Sequence, residues 1–231
     1  MLRCDGVTLA QGSFRMTADW ALAAGARVAV IGPSGAGKST LLMAIAGFLA
    51  PVAGRISWDG RDLGPLSPGE RPVSILFQDQ NLFPHLTVAQ NLGLGLSPHL
   101  RLSLADHARI GAALARVGLE GLGARRPADL SGGQQSRAAL ARALLRARPI
   151  LLLDEPFSAL GPALKSDMLD LVTEIAGETG ALVLMVTHEP ADARRFAADV
   201  ILVAEGQAAA PAPTGALFAA PPKALSEYLG R

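Results

Sequence analysis

Nine residues, Gly32-Pro33-Ser34-Gly35-Ala36-Gly37-Lys38-Ser39-Thr40, follow directly on the apolar run Val28–Ile31 and lead into a segment with helical spacing. This is G-x-x-x-x-G-K-[ST] in the setting that gives it meaning, a strand before and a helix after. The glycines let backbone N–H groups turn inward onto phosphate oxygens with no Cβ in the way. A helix starting near Lys38 adds the positive end of its dipole. Lys38 is expected to reach β- and γ-phosphates, and Ser39 to hold Mg²⁺.

The rest of the chain agrees with a layered α/β arrangement. Arg27 to Ile31 (apolar after its leading arginine), Ile150 to Leu153, Ala181 to Val186 and Val200 to Ala204 are apolar runs, as strands are in a parallel sheet covered on both faces. Ser39 to Phe48, Gln134 to Arg146 and Pro162 to Gly177 have helical spacing, and the alternation predicts an α/β fold. Val7 to Trp20 and Arg55 to Asp59 read as antiparallel strands, with turns expected at Gly12, Gly54 and Asp59-Gly60. From about Val88 to Arg148 the pattern is helical, with breaks at Pro98, Gly118 and Pro127, and predicts a helical lobe inserted into the core. The Ala/Pro-rich tail from Glu205 is expected to be a loosely packed finish or a short linker.

Composition narrows the function. Half of the residues are hydrophobic and 18% are charged, which excludes a disordered chain. The lone Cys4 excludes an internal disulfide framework and multi-cysteine metal sites. A net charge of +1 implies no bulk attraction to nucleic acid or anionic lipid. The most apolar window, Leu41 to Gly54, is broken by Gly47 and Pro51 and falls short of the ~20 residues that span a bilayer. The N-terminus, with Arg3 and Asp5, lacks a secretory core. A soluble, intracellular chain is expected, acting at a membrane only through a partner.

Two further segments carry chemistry. Ile150 to Leu153 ends in Asp154 and Glu155; an aspartate there reaches Mg²⁺ in P-loop folds. Glu155, one residue on, is placed to polarise an attacking water. Leu130-Ser131-Gly132-Gly133-Gln134 opens a helix and is a second anion-binding helix start. One nucleotide per chain has little use for two phosphate cradles unless two chains share their ligands.

On these residues the sequence resembles, over essentially its whole length, the ATP-binding subunit of ABC transporters, with Leu130 to Gln134 similar to that family's signature motif. The resemblance implies a head-to-tail homodimer with two ATP molecules sandwiched, each gripped by Lys38 of one subunit and Ser131, Gly132, Gly133 and Gln134 of the other. It implies a P-loop core sheet, mainly parallel, with an N-terminal antiparallel β subdomain and an inserted helical subdomain. The whole of 1–231 is then one ATPase domain: core about 1–87 and 149–205, lobe about 88–148, tail 206–231. Gln78, after Val73 to Phe77, resembles the glutamine that contacts Mg²⁺ and signals to the membrane subunit, and His188 resembles the switch histidine at the γ-phosphate. His85, His99 and His107 are expected to be solvated or packing residues.

Two positions depart from the family pattern. Ser158-Ala159-Leu160 is followed by Gly161 where an aspartate is usual, which implies reduced but nonzero hydrolysis. The position where an aromatic commonly stacks on adenine is near Gln11; Phe14 is either a substitute or a core residue. Within the family, Arg71 to Gln78 and Asn81 to Leu96 most resemble the ATPases of bacterial thiamine importers, while iron, polyamine and molybdate importer ATPases share much of both stretches. The implied partners are an integral membrane permease docking near Gln78 to Leu86, with Leu82, Phe83 and Leu86 forming a groove or packing under the lobe, and indirectly a periplasmic solute-binding protein. The implied location is the cytoplasmic face of the inner membrane. A DNA- or ribosome-directed ABC ATPase fits less well, because it usually carries coiled-coil insertions or tandem domains.

Overall fold

In a computed structural model describing residues 1–79, 81–158 and 160–230, the strands are β1 (Leu2–Gln11), β2 (Phe14–Leu22), β3 (Arg27–Ile31), β4 (Ala53–Trp58), β5 (Arg61–Asp62), β6 (Val73–Leu76), β7 (Ile150–Asp154), β8 (Leu182–Val186), β9 (Asp199–Ala204), β10 (Gln207–Ala208) and β11 (Ala212–Pro213). The helices are α1 (Lys38–Ala46), α2 (Val88–Gly93), α3 (Leu104–Arg116), α4 (Gly132–Leu145), α5 (Pro162–Thr179), α6 (Pro190–Phe196), α7 (Thr214–Ala219) and α8 (Lys223–Tyr228). The four apolar runs lie side by side as β9-β3-β8-β7, with β6 added beside β7, all parallel. β7 and β8 are buried along their whole length, which is why their sequences do not alternate. The amino-terminal strands add the antiparallel series β5-β4-β1-β2, joined to the parallel part through β10.

Three apolar clusters hold these layers. One lies between α1, the antiparallel strands and one face of the parallel sheet, with Leu41, Leu42 and Ile45 meeting Val28, Leu152 and Leu184. The opposite face is covered by Met168, Leu169 and Val172 of α5 and Phe196 of α6. The third is internal to the helices between β6 and β7, where Leu92, Ile110, Leu114 and Ala138 pack together. Burial on both sheet faces contributes about 25 cal/mol per Å² of apolar surface removed from water and makes the sheet a stiff platform for the loops at its edge.

Three sequence expectations need correction. Gly54 is not a turn but lies inside β4, opposite the irregularity in β1 between Asp5 and Thr8. A Cβ there would fall 2.3 Å from the Gly6 carbonyl oxygen, so the glycine permits a close backbone approach. α5 runs past Gly177 and stops at Gly180, whose φ of +63° forms its C-cap. The tail is neither loose nor a linker: Thr214 Oγ1 donates to the Ala197 carbonyl at 2.7 Å, and Phe218 of α7 and Leu225 of α8 are buried in the second cluster.

Candidate functional site

The parallel register brings the predicted residues to one edge. Val28 to Val30 of β3 pair with Leu184 to Val186 of β8, Leu153 of β7 pairs with Met185, and Leu76 of β6 pairs with Leu153. Gly32, Gln78, Asp154 and His188 therefore all leave the carboxyl-terminal edge of neighbouring strands, where ligands bind in open α/β sheets.

The phosphate loop leaves β3 with Gly32 buried, carries Pro33, Ser34 and Gly35 in the open, and returns through half-buried Ala36 and Gly37 into α1. Lys38 Nζ folds back over the loop and donates to the carbonyls of Gly32 and Pro33, each at 2.8 Å. Burial pushes its ammonium down from the ordinary lysine range, and the nearby Glu155 and Asp154 carboxylates oppose that shift. Gly37 caps α1 at φ +104°, and the first turn contains no acidic side chain, so Ser39 and Thr40 open a helix whose positive end is unneutralised. The floor of the loop is Phe14: a Cβ on Gly37 would meet its ring at 2.4 Å. Of the two readings of Phe14, the structure supports the packing residue. Gln11 stands exposed opposite it at the hairpin tip.

Ser39 Oγ donates to Asp154 Oδ1 at 3.0 Å. Asp154 ends β7 and is only 9% exposed; burial pushes its carboxyl up, the Ser39 hydrogen bond opposes this, Glu155 adds to it, and Lys38 opposes it. A hydroxyl and a carboxylate drawn together beside a phosphate loop are the hard-oxygen donors from which Mg²⁺ is held, the remainder coming from phosphates and water. The buried charge of Asp154 is what such a cation would offset, so the residues fit the ion.

Glu155 has φ +45°, unusual for a side chain of its size. Its N–H donates to the Val186 carbonyl at 3.1 Å, which ties the turn after β7 to the end of β8. The carboxylate then faces His188, with Oε2 3.2 Å from Nδ1. The His188 segment is held in turn by Thr187 N–H on the Val30 carbonyl at 3.2 Å and Glu189 N–H on Thr187 Oγ1 at 3.1 Å. Lys165, buried one turn into α5, ion-pairs with Glu189 and with Asp192 at 3.4 Å. Burial alone would lower its ammonium, but the two carboxylates outweigh burial and move it up. Sequence reasoning gave Lys165 no role. Its one available signal was scarcity, since the chain has only three lysines.

The other candidates lie apart from this cluster. Gln78 is exposed in the turn after β6. Ser131 caps α4, accepting from Gln134 N–H at 3.3 Å while Gln134 Oε1 accepts from Ser131 N–H at 3.0 Å, so α4 begins at Gly132. No hydrogen bond or ion pair among the described residues links Ser131–Gln134 to the phosphate loop of the same chain. Gly161 is the N-cap of α5, with no side chain to cap it and open space where a Cβ would stand. Ala159, two residues earlier, lies outside the described residues, as does Gln80 in the expected docking segment. In that segment Leu82 packs against two core clusters, whereas Phe83 is 46% exposed, with His85 edge-on at 6.0 Å and the Arg142 guanidinium 6.0 Å from its ring centre. The Asn91 side chain fixes the backbone there, accepting from Phe83 N–H at 2.8 Å and donating to its carbonyl at 3.1 Å. Phe83, Ile75, Phe77 and Leu94 border a groove of about 270 Å³.

Fold and loop together define a P-loop nucleotide-binding protein. The family described as ABC transporter matches residues 16–158. The thiamine import ATP-binding protein ThiQ of Cereibacter sphaeroides is 72% identical over 230 residues, covering 100% of both chains. The protein of the same name from a Ruegeria species is 60% identical, again over 100% of each. Among solved structures, the dimeric post-hydrolysis state of the ATP-binding cassette MJ0796 bound to ADP and Pi superposes with a TM-score of 0.82 at 30% identity, over 93% of this chain and 99% of that one. The chain belongs to the ABC transporter family and is one of its ATP-hydrolysing cassettes. No helix among the described residues is long and apolar enough to cross a membrane.

Proposed function

We propose that this chain hydrolyses ATP to power the import of thiamine through a membrane permease, and that Glu155, His188 and Lys38 carry the chemistry. The observation that carries the reading is the Glu155–His188 pair, 3.2 Å apart, beside the Ser39–Asp154 pair at the mouth of the phosphate loop. Residues 32–40 bind the phosphates through backbone N–H groups, and Lys38 exchanges its two carbonyl acceptors for phosphate oxygens. Ser39 and Asp154, joined by Gln78 from the turn after β6, would hold Mg²⁺, which when bound would neutralise charge developing on the phosphates. Water attacks the γ-phosphorus as the bond to the β–γ bridging oxygen breaks and ADP leaves; the water proton passes to the Glu155 carboxylate. His188 holds that carboxylate in line and contacts the γ-phosphate.

A second copy, docked head to tail, supplies Ser131, Gly132, Gly133 and Gln134 to close each site. The lobe at about 88–148, between core segments about 1–87 and 149–205, carries these residues, while the groove beside Phe83 in Gln78–Leu86 receives the permease. A periplasmic binding protein delivers the solute, the cassette works at the cytoplasmic face of the inner membrane, and nucleic acid is not a partner. Thiamine is favoured by the 72% identity to a protein named for its import. Uptake of labelled thiamine at low external concentration tests the reading, in cells lacking other carriers and bearing the native chain or Glu155→Gln. Uptake with the native chain alone supports it. Equal uptake from both chains refutes the role of Glu155, and no uptake from either refutes the vitamin.

A further inference from the structure

One side chain from the far end of the sequence reaches the hydrolytic pair. Tyr228, the last residue of α8, is half-buried, and its Oη donates to the carbonyl oxygen of His188 at 2.5 Å. The short stretch Thr187–Glu189 lies between β8 and α6, outside any strand or helix, so its geometry depends on individual hydrogen bonds. Lys165 grips it from α5 through Glu189, and Tyr228 grips it from α8 through the backbone of His188 itself. The grip is braced: Leu225, one turn back in α8, is fully buried, and Tyr228 and Leu229 pack on the second cluster. Phe218 of α7 lies under the Arg194 guanidinium of α6 at 4.2 Å, which fixes the tail to the helix that follows His188.

We propose that Tyr228 is a positioning residue for ATP hydrolysis: its hydroxyl anchors the His188 backbone and thereby the imidazole that holds the Glu155 carboxylate. This rests on the reading of Glu155 and His188 given above. Burial, and after it the Glu155 charge, push the phenol above the ordinary tyrosine range, so the O–H remains a donor through the neutral range. The phosphate loop and the Ser39–Asp154 pair make no hydrogen bond to Tyr228 among the described residues, so ATP binding does not depend on it.

Tyr228→Phe keeps the ring and its packing and removes only the hydroxyl. In the full chain kcat is expected to fall about two- to tenfold, the range of one neutral hydrogen bond, with KM for ATP held within about twofold. The melting temperature is expected to fall by no more than about 6 °C, what the same hydrogen bond is worth to a chain of this size, and in a His188→Ala background the same substitution should change kcat no further. Native kcat in Tyr228→Phe, with a depressed rate in His188→Ala, would overturn this inference and leave the underlying reading intact. A drop in kcat matched by a rise in KM and a fall in melting temperature beyond about 6 °C would also overturn it, because the tyrosine would then be tail packing only. Native kcat in His188→Ala would overturn the underlying reading and this inference together.

Discussion

Replacing Gly37 by alanine tests how the phosphate loop is shaped, because two separable penalties meet there. The first is conformational: φ is +104°, in the region that favours glycine, and an L-residue in left-handed backbone is disfavoured by about 1–2 kcal/mol. The second is steric. The new Cβ would stand 2.4 Å from Phe14 Cζ, with Met16 Sδ at 3.2 Å, whereas carbon atoms in contact sit about 3.5–4.0 Å apart. Phe14 is packed against the first core cluster, so a ring displaced by about 1 Å carries an overpacking penalty of about 1–3 kcal/mol. Phe14→Leu deletes the colliding atoms and leaves φ as it was. Urea unfolding of the native chain, both single variants and the double variant completes the cycle. Gly37→Ala is expected to lose about 2–5 kcal/mol in the native background but only about 1–2 kcal/mol beside Phe14→Leu. ATP affinity, measured by equilibrium binding, should fall at least about tenfold in Gly37→Ala, since the loop cannot keep its cradle when its last residue moves. The same loss in both backgrounds, or one below about 1 kcal/mol in the native chain, would show that Phe14 does not support the loop.

Gly161→Asp gives α5 the side-chain N-cap and first-turn charge it lacks, worth together about 0.5–1 kcal/mol. Melting should rise by about 1–3 °C, and the ATPase rate of the assembled transporter should rise with it; an unchanged rate would remove the expectation that Gly161 reduces hydrolysis. Burial raises the Asp154 carboxyl, so the folded chain binds that proton more tightly than the unfolded one. Its stabilising contribution, full below the ordinary aspartate range, is therefore lost as pH climbs through the raised folded value. Asp154→Asn should accordingly melt above the native chain at pH 7 without nucleotide, and hydrolyse ATP at least about tenfold more slowly. A lower melting point at pH 7 would reverse that sign.

Much of the fold was legible because it rests on patterns that recur within a few residues. Val28–Ile31 and Ile150–Leu153 read as doubly covered strands, since each sets four successive apolar residues directly before a glycine loop or a carboxylate pair. Asp59-Gly60 was readable as a turn for the same local reason. Gly54 was not, because its need for glycine comes from Gly6, 48 residues away in sequence. The start of α4 at Gly132 was obscured by two poor helix formers, and the reciprocal Ser131–Gln134 cap outweighs them. The tail was misjudged on composition: eleven alanines and prolines between Gln207 and Pro222 conceal that Phe218, with Leu225 just beyond, docks on the core. The loop Gly32–Thr40 announced itself by spacing. The contacts of Lys165 with Glu189 and of Tyr228 with His188 span 24 and 40 residues, and no spacing rule reaches that far.

The central claim, that Glu155 drives hydrolysis in a site completed by a second copy, is tested most directly by the Glu155→Gln chain with Mg²⁺ and ATP. Bound ATP, released phosphate and molecular mass are followed in one preparation. The account predicts ATP held by a dimer of about twice the 23.8 kDa chain mass, with phosphate release at least about a hundredfold below native. Phosphate released at the native rate, or ATP held by a monomer, would contradict it.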